Sequence, residues 1–251
     1  MPDTLPPSDL PTLSAIDGHD AHLREECTGG EAILDGRFLK ARRDRVRLPD
    51  GGTSTREYIV HPGAVVVVPV LDDGRVVLER QYRYPVGQVI VEFPAGKLDP
   101  GEAPLHCGQR ELFEETGFTA REWARAGAMH LAVGYSTEVI HIYFARGLVA
   151  GKPSLDPGEF VDVFAASLDE LLEWCRTGKV TDAKTLACVV HLQNMVSGGW
   201  TLAWNAGDDT DPAGPAGLRC RCSTCSAGGA TASRAGSVPK TTIWASARAG
   251  W

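Results

Sequence analysis

The sequence predicts an α/β (α+β) chain in which a mixed β-sheet is sandwiched between helices, with further β-strands ahead of it at the N-terminus. Three observations lead there. "AVVVVPVL", residues 64–71, is a continuous apolar run of the kind a strand buried on both faces requires. Short runs rich in β-branched and aromatic residues recur around it, separated by Gly, Pro and Asp turns. Helical spacing of apolar residues occurs once between strands and twice after them, which puts helices on the faces of the sheet.

The elements follow in order. Residues 1–20 are Pro- and Asp-rich and are expected to be disordered. Residues 21–60 hold the N-terminal strands, with "PDGGTS" (49–54) as a hairpin turn. "DDG" (72–74) joins the apolar run to "RVVLERQYRY" (75–84), the clearest hairpin of the chain. "QVIVEFPAG" (88–96) is the next strand and leads straight into a helix over 104–116. Strands follow near 122–132, 138–148 and 159–166. The helix of 168–178 opens with Ser167 and Glu170 in capping-box spacing and stops at Gly178. A last helix, 182–196, is capped by Asp182 and is read with Leu186, Val189, Val190 and Val196 on its core face. The main domain is therefore 61–203. Residues 204–251 are small, aperiodic and of low complexity, and are expected to form a disordered tail.

Composition excludes several classes. A formal charge of -7 argues against a nucleic-acid binder, whose footprint would be basic. No apolar run approaches the roughly 20 residues of a membrane span, and the polar start lacks the order of a signal peptide, so a cytoplasmic protein is expected. The seven cysteines do not read as a disulfide framework. Cys220, Cys222 and Cys225 lack a nearby fourth ligand, and an unstructured thiol cluster is favoured over a zinc site.

The stretch "GKLDPGEAPLHCGQRELFEETGF" (96–118) is the unusual one. Leu105, Leu112 and Thr116 share one side of its helix, while Glu111 and Glu115, four apart, fall on another beside Glu114. Such like charges repel by roughly 0.2 to 0.5 kcal/mol per adjacent pair, and Arg110, which reaches Glu114 at i+4, cannot neutralise them all. Ahead of the helix, Ala95-Gly96 permits close backbone approach and Asp99-Pro100-Gly101 is a turn. Inward acids beside such a loop suit a hard divalent cation bound together with substrate phosphate.

Gly96, five residues, Glu102, seven residues, Arg110-Glu111-Leu112, one residue, Glu114-Glu115, one residue and Gly117-Phe118 resembles the complete signature of the Nudix hydrolases. Chance would give that pattern at on the order of one in 10^8 starts. The flanking "ERQYRYPVGQVIVEFPAGKLDPGE" is similar to the ADP-ribose and ADP-sugar pyrophosphatase branch, over roughly residues 31–203. The resemblance implies a Nudix fold and hydrolysis of the pyrophosphate bond of a nucleoside diphosphate sugar, first of all ADP-ribose to AMP and ribose 5-phosphate. It implies two or three Mg²⁺ ions, with Mn²⁺ as a substitute, held by the Ala95 carbonyl, Glu111, Glu114 and Glu115, with Arg110 orienting the glutamates. Arg83 would meet substrate phosphate or ribose, Arg56 the nucleoside, and Glu138 of "AVGYSTE" the distal ribose. Val133 departs from the proline that many relatives carry there.

A base must also take a proton from the attacking water. Either a helix glutamate or a loop acid could do so, and the resemblance favours Glu159 of "DPGEFVDV". His61, His106, His130, His141 and His191 show no paired metal spacing and are read as packing or surface residues. The resemblance implies a homodimer in which the strands of 21–60 exchange between subunits. The alternatives are GDP-mannose or another nucleoside-diphosphate substrate, or a non-catalytic ADP-ribose-binding regulator, for which no DNA-reading pattern is present.

Overall fold

The computed structural model describes residue 10 and residues 12–208, so the Cys220, Cys222 and Cys225 cluster and most of the expected tail lie outside the described residues. The chain forms two compact units that meet in sequence at Ile59 and Val60.

In the first unit a four-residue helix α1 (Leu13–Ile16) precedes an antiparallel meander of β1 (Glu26–Asp35), β2 (Lys40–Arg47) and β3 (Thr53–Ile59). Cross-strand ion pairs line one face: Arg43 pairs with Glu57 and, at 3.6 Å, with Glu31. Within the strands only Asp44 and Val46 are buried, and Tyr58 Oη donates to Asp44 at 2.7 Å. Three strands with so little apolar burial make no core of their own.

The second unit is a mixed sheet of β4 (Ala64–Val70), β5 (Val76–Arg83), β6 (Gln88–Glu92), β7 (Ala95–Lys97), β8 (Phe118–Met129), β9 (Ile140–Ala150) and β10 (Val161–Ala166), with the path β10-β5-β4-β9-β8. All pairs are antiparallel except β4 with β9. Period-2 alternation divides β4 between two cores. Val65 and Val67 pack with Leu105 and Leu112 of α2 (Pro104–Thr116) on one face. Val66 and Val68 pack on the other with Leu171 of α3 (Leu168–Thr177) and with Val189 and Leu192 of α4 (Ala183–Val196). The sheet is sandwiched between helices, as the sequence predicts.

Two expectations are corrected. The hairpin of 64–84 is joined at its turn, but β4 and β5 pair only at Val70–Val76 and then splay. The segment 88–97 fills the gap: β6 pairs with β5, placing Glu92 opposite Glu79, and β7 pairs with β4, placing Ala95 opposite Val66. On α4, the buried side is Lys184, Thr185, Cys188, Val189 and Leu192, while Leu186, Val190 and Val196 are exposed. Residues 185, 188, 189 and 192 follow the i, i+3, i+4, i+7 stripe, whose polar first member hid it.

Candidate active site

Helix α2 brings its acids against the strand insert. It ends at Gly117, which adopts φ +76° and is the C-cap. Gly96 is required by space: a Cβ there would sit 1.9 Å from Glu111 Cδ, so the backbone of β7 and the Glu111 carboxylate touch only because no side chain intervenes. Glu115 Oε2 accepts the Ala95 N–H at 3.0 Å from a fully buried position.

Arg110 gathers the remaining acids. Its Nε and Nη2 each donate to Glu102 at 2.9 Å in a fork, its Nη1 donates to Glu111 at 2.5 Å and to Glu114 at 3.0 Å, and Nη2 reaches Lys97 O. Glu102 in turn accepts the Asp99 N–H and closes the entry turn. The helix arginine therefore serves three glutamates at once, more than the i+4 pairing that spacing predicts.

A cleft of about 400 Å³ opens beside this cluster, lined by Arg83, Glu92, Ala95, Gly96, Glu138 and Lys184 with an apolar wall including Val86, Ile90 and Leu131. The structure thus brings Ala95, Glu111, Glu115, Arg83 and Glu138 to one region. Glu159 sits in the turn before β10, where it accepts the Asp156 N–H, and lines a neighbouring groove with Arg80, Tyr82 and Phe160. It is close enough to Glu111 and Glu115 to raise their pKa values. Arg56 belongs to the first unit, where it is exposed and paired with Glu25. Glu138 is anchored from behind: Thr137 Oγ1 accepts the His61 N–H, and His61 Nδ1, which accepts the Gly63 N–H, lies 3.6 Å from the Glu138 carboxylate.

Three buried residues were missed by sequence reasoning: Glu79, Glu92 and Lys184. The signal was present, an acid inside each of two apolar strand runs, "VVLER" and "VIVEF". Glu92 is bonded by Arg83 and Lys184, but neither Glu79 oxygen has a hydrogen-bond partner. Burial, then Glu92, pushes Glu79 up to about 8. Burial raises Glu111 to about 7 against the pull of Arg110, and burial with Glu79 and Glu111 holds Glu115 well above the usual carboxylate range. Burial also raises Glu138 and Glu159.

These features fit a divalent cation. The donors are carboxylate oxygens and a backbone carbonyl, the hard set that suits Mg²⁺. The Glu79 oxygens have no hydrogen-bond partner, and burial, the main cause of the raised Glu111 and Glu115 pKa values, disfavours their charged forms, so a bound cation is what would stabilise these carboxylates as anions. Among the described residues no group of three or more His, Cys, Asp or Glu side chains converges as a ready-made ligand shell; Arg110 draws Glu111 and Glu114 to itself.

Comparison with known proteins gives concordant results. The NUDIX domain family matches residues 60–187, and the nucleoside diphosphate sugar hydrolase N-terminal domain matches residues 25–59. An ADP-ribose pyrophosphatase of Bacillus subtilis is 38% identical over 173 residues, covering 68% of this chain and 94% of its own. A methanol dehydrogenase activator of Bacillus methanolicus is 41% identical over 165 residues, covering 65% and 89%. A crystal structure of an ADP compounds hydrolase superposes with a TM-score of 0.64 at 21% identity, over 70% of this chain and 96% of that one, a likeness of fold.

Proposed function

The chain belongs to the NUDIX domain family and is a Nudix hydrolase, and from that premise we propose that it hydrolyses the pyrophosphate bond of ADP-ribose, giving AMP and ribose 5-phosphate. The observation that carries this reading is the junction of the α2 acids with the cleft. Glu111 against Gly96 and Glu115 on the Ala95 amide put oxygen donors at the edge of a cleft that Arg83 also lines.

The cofactor in this reading is magnesium, two or three ions held by the Ala95 carbonyl, Glu111, Glu114 and Glu115, with Mn²⁺ as a substitute. When bound, the metal supplies positive charge that holds the diphosphate in line and offsets charge on the leaving phosphate. The protein side does the rest. Arg110 keeps the three glutamates in register, Arg83 binds phosphate with a planar fork, and Glu138 orients the distal ribose. Glu159 takes the proton of the attacking water; its raised pKa moves it toward the range in which a general base works best. Arg56 is assigned to the nucleoside, supported by the match of residues 25–59 to an N-terminal domain of nucleoside diphosphate sugar hydrolases.

The same reading includes a homodimer. Its support is the first unit, whose strands expose Ile33 and Leu34 and bury only Asp44 and Val46. A closed two-fold pair is the commonest way to cover such a sheet. Light scattering at micromolar concentration should give twice the chain mass, and a fully active monomer would refute it. No helix among the described residues is long and apolar enough to cross a membrane. Cys107, Cys175 and Cys188 are thiols outside any disulfide, as suits a cytoplasmic protein. A substrate panel tests the activity: AMP released from ADP-ribose faster than GMP from GDP-mannose supports the assignment, and the reverse order replaces it with the mannose sugar. Binding of ADP-ribose without turnover in Mg²⁺ would instead indicate a non-catalytic regulator.

A further inference from the structure

Lys184 is a buried cation that the reaction scheme leaves unused. It stands in the first turn of α4, lines the cleft, and is buried. Its Nζ donates to Glu92 Oε2 and lies 3.1 Å from Asp182, the N-cap of its own helix. Thr185 Oγ1 accepts the Phe93 N–H at 3.1 Å, so the start of α4 is fastened to the last residue of β6 and the residue after it by two consecutive side chains.

The other oxygen of Glu92 is taken by Arg83. Arg83 Nε donates to Glu92 Oε1 at 2.7 Å, and Arg83 Nη1, though buried, has no partner. An arginine beside a carboxylate ordinarily closes a two-bond fork onto both oxygens. Here Lys184 occupies Oε2, and Arg83 keeps the single Nε bond, so Nη2, the nitrogen that would close the fork, is not drawn onto Glu92, while Nη1 on the far side of the guanidinium is unclaimed. A buried donor without a partner is unfavourable unless a ligand completes it.

We propose that Lys184 is a positioning residue for Arg83, acting through Glu92. By holding Oε2 it limits Glu92 to a single bond with Arg83 Nε, and by sharing the Glu92 charge it leaves Arg83 a net cation. Both effects keep the guanidinium available to an incoming diphosphate. Without Lys184, Arg83 would fold into a bidentate pair with Glu92 and its charge would be cancelled where substrate needs it. The inference rests on the reading of Arg83 as a phosphate-binding residue.

The test is a double-mutant cycle on the full chain in Mg²⁺, with ADP-ribose as substrate: Arg83→Ala, Lys184→Met and the double variant, each also titrated with Mn²⁺ in the absence of substrate. KM should rise about tenfold in each single variant, the change expected when substrate binding alone is weakened, with kcat altered less than about threefold. Mn²⁺ affinity should be unchanged. The double variant should be no worse than Arg83→Ala, because Lys184 has nothing to act on once the guanidinium is gone. Multiplicative effects in the double variant, a wild-type KM in Lys184→Met, or a loss of Mn²⁺ affinity would each overturn the proposal. A wild-type KM in Arg83→Ala would remove the phosphate role of Arg83 and the relay with it, whereas a raised KM there alone removes only the relay. Should Lys184→Met fail to fold, Lys184→Arg carries the test: a KM near wild type supports a cation on Oε2, and a tenfold rise contradicts it.

Discussion

Glu115 is fully buried beside two other acids, with the Ala95 amide as its hydrogen-bond donor. Replacing it by Gln removes the charge while keeping the shape, and an amide is a poorer hard-cation ligand. Turnover of Glu115→Gln should fall severely, and the Mg²⁺ concentration needed for half-maximal rate should rise. Glu159→Gln should behave differently, keeping metal and substrate binding while the rate falls by roughly 10² to 10⁴, the span of a lost general base. Its pH–rate profile should lose the acidic limb. If Glu159→Gln turns over normally and Glu114→Gln is dead with unchanged Mg²⁺ affinity, the base lies in α2. The acids of α2 were legible because their spacing is local and fixed. Glu79, Glu92 and Lys184 were not, since what makes them part of the site is the pairing of β5 with β6 and the docking of α4, which no short window contains.

At the scale of elements, helix ends were the most legible features because capping is written in adjacent residues. The box of Ser167 and Glu170 and the stop at Gly178 bound α3 as expected, and Asp182 accepts the Thr185 N–H at the start of α4. The core face of α4 was misread because its first member, Thr185, is polar yet fully buried. The loop over 131–138 depends on a contact of another kind. His61, from the segment before β4, holds it through Thr137, and burial, reinforced by Lys97, depresses its pKa to about 4. The folded protein therefore binds fewer protons than the unfolded chain between about pH 6.5 and about pH 4. His61 contributes stability above that window and loses it as pH falls through it. The melting temperature of the wild type should decline over this range more steeply than that of His61→Gln; equal slopes would show that His61 is not the acid-sensitive group.

For the whole molecule, the residues that follow α4 matter most. Asn205 exchanges two backbone hydrogen bonds with Trp123 at 2.9 Å, Gln109 donates to Gly207 O, and Arg146 lies over the Trp204 ring. These contacts fall inside the stretch expected from composition to be tail, where isolated tryptophan and asparagine gave no periodic signal. A chain ending at residue 208 should keep its melting temperature and activity, because the sequence beyond it has no apolar face to bury. A chain ending at residue 203 should melt several degrees lower, since it exposes the edge of β8 and strands Trp123. Equal melting of the two truncated forms would show that this strap contributes nothing. The parallel pairing of β4 with β9 has a consequence of its own. Ala64 meets Ile140 only after the whole span that carries Glu79, Glu92 and α2 has been laid down between them. Closing so long a loop is entropically costly and slow. Substitutions in the two anchoring strands are then expected to slow folding, whereas the acids of α2, carried inside the crossover, are those proposed to hold the metal. Substitutions that delay folding and substitutions that weaken metal binding should then fall on different residues of one continuous segment.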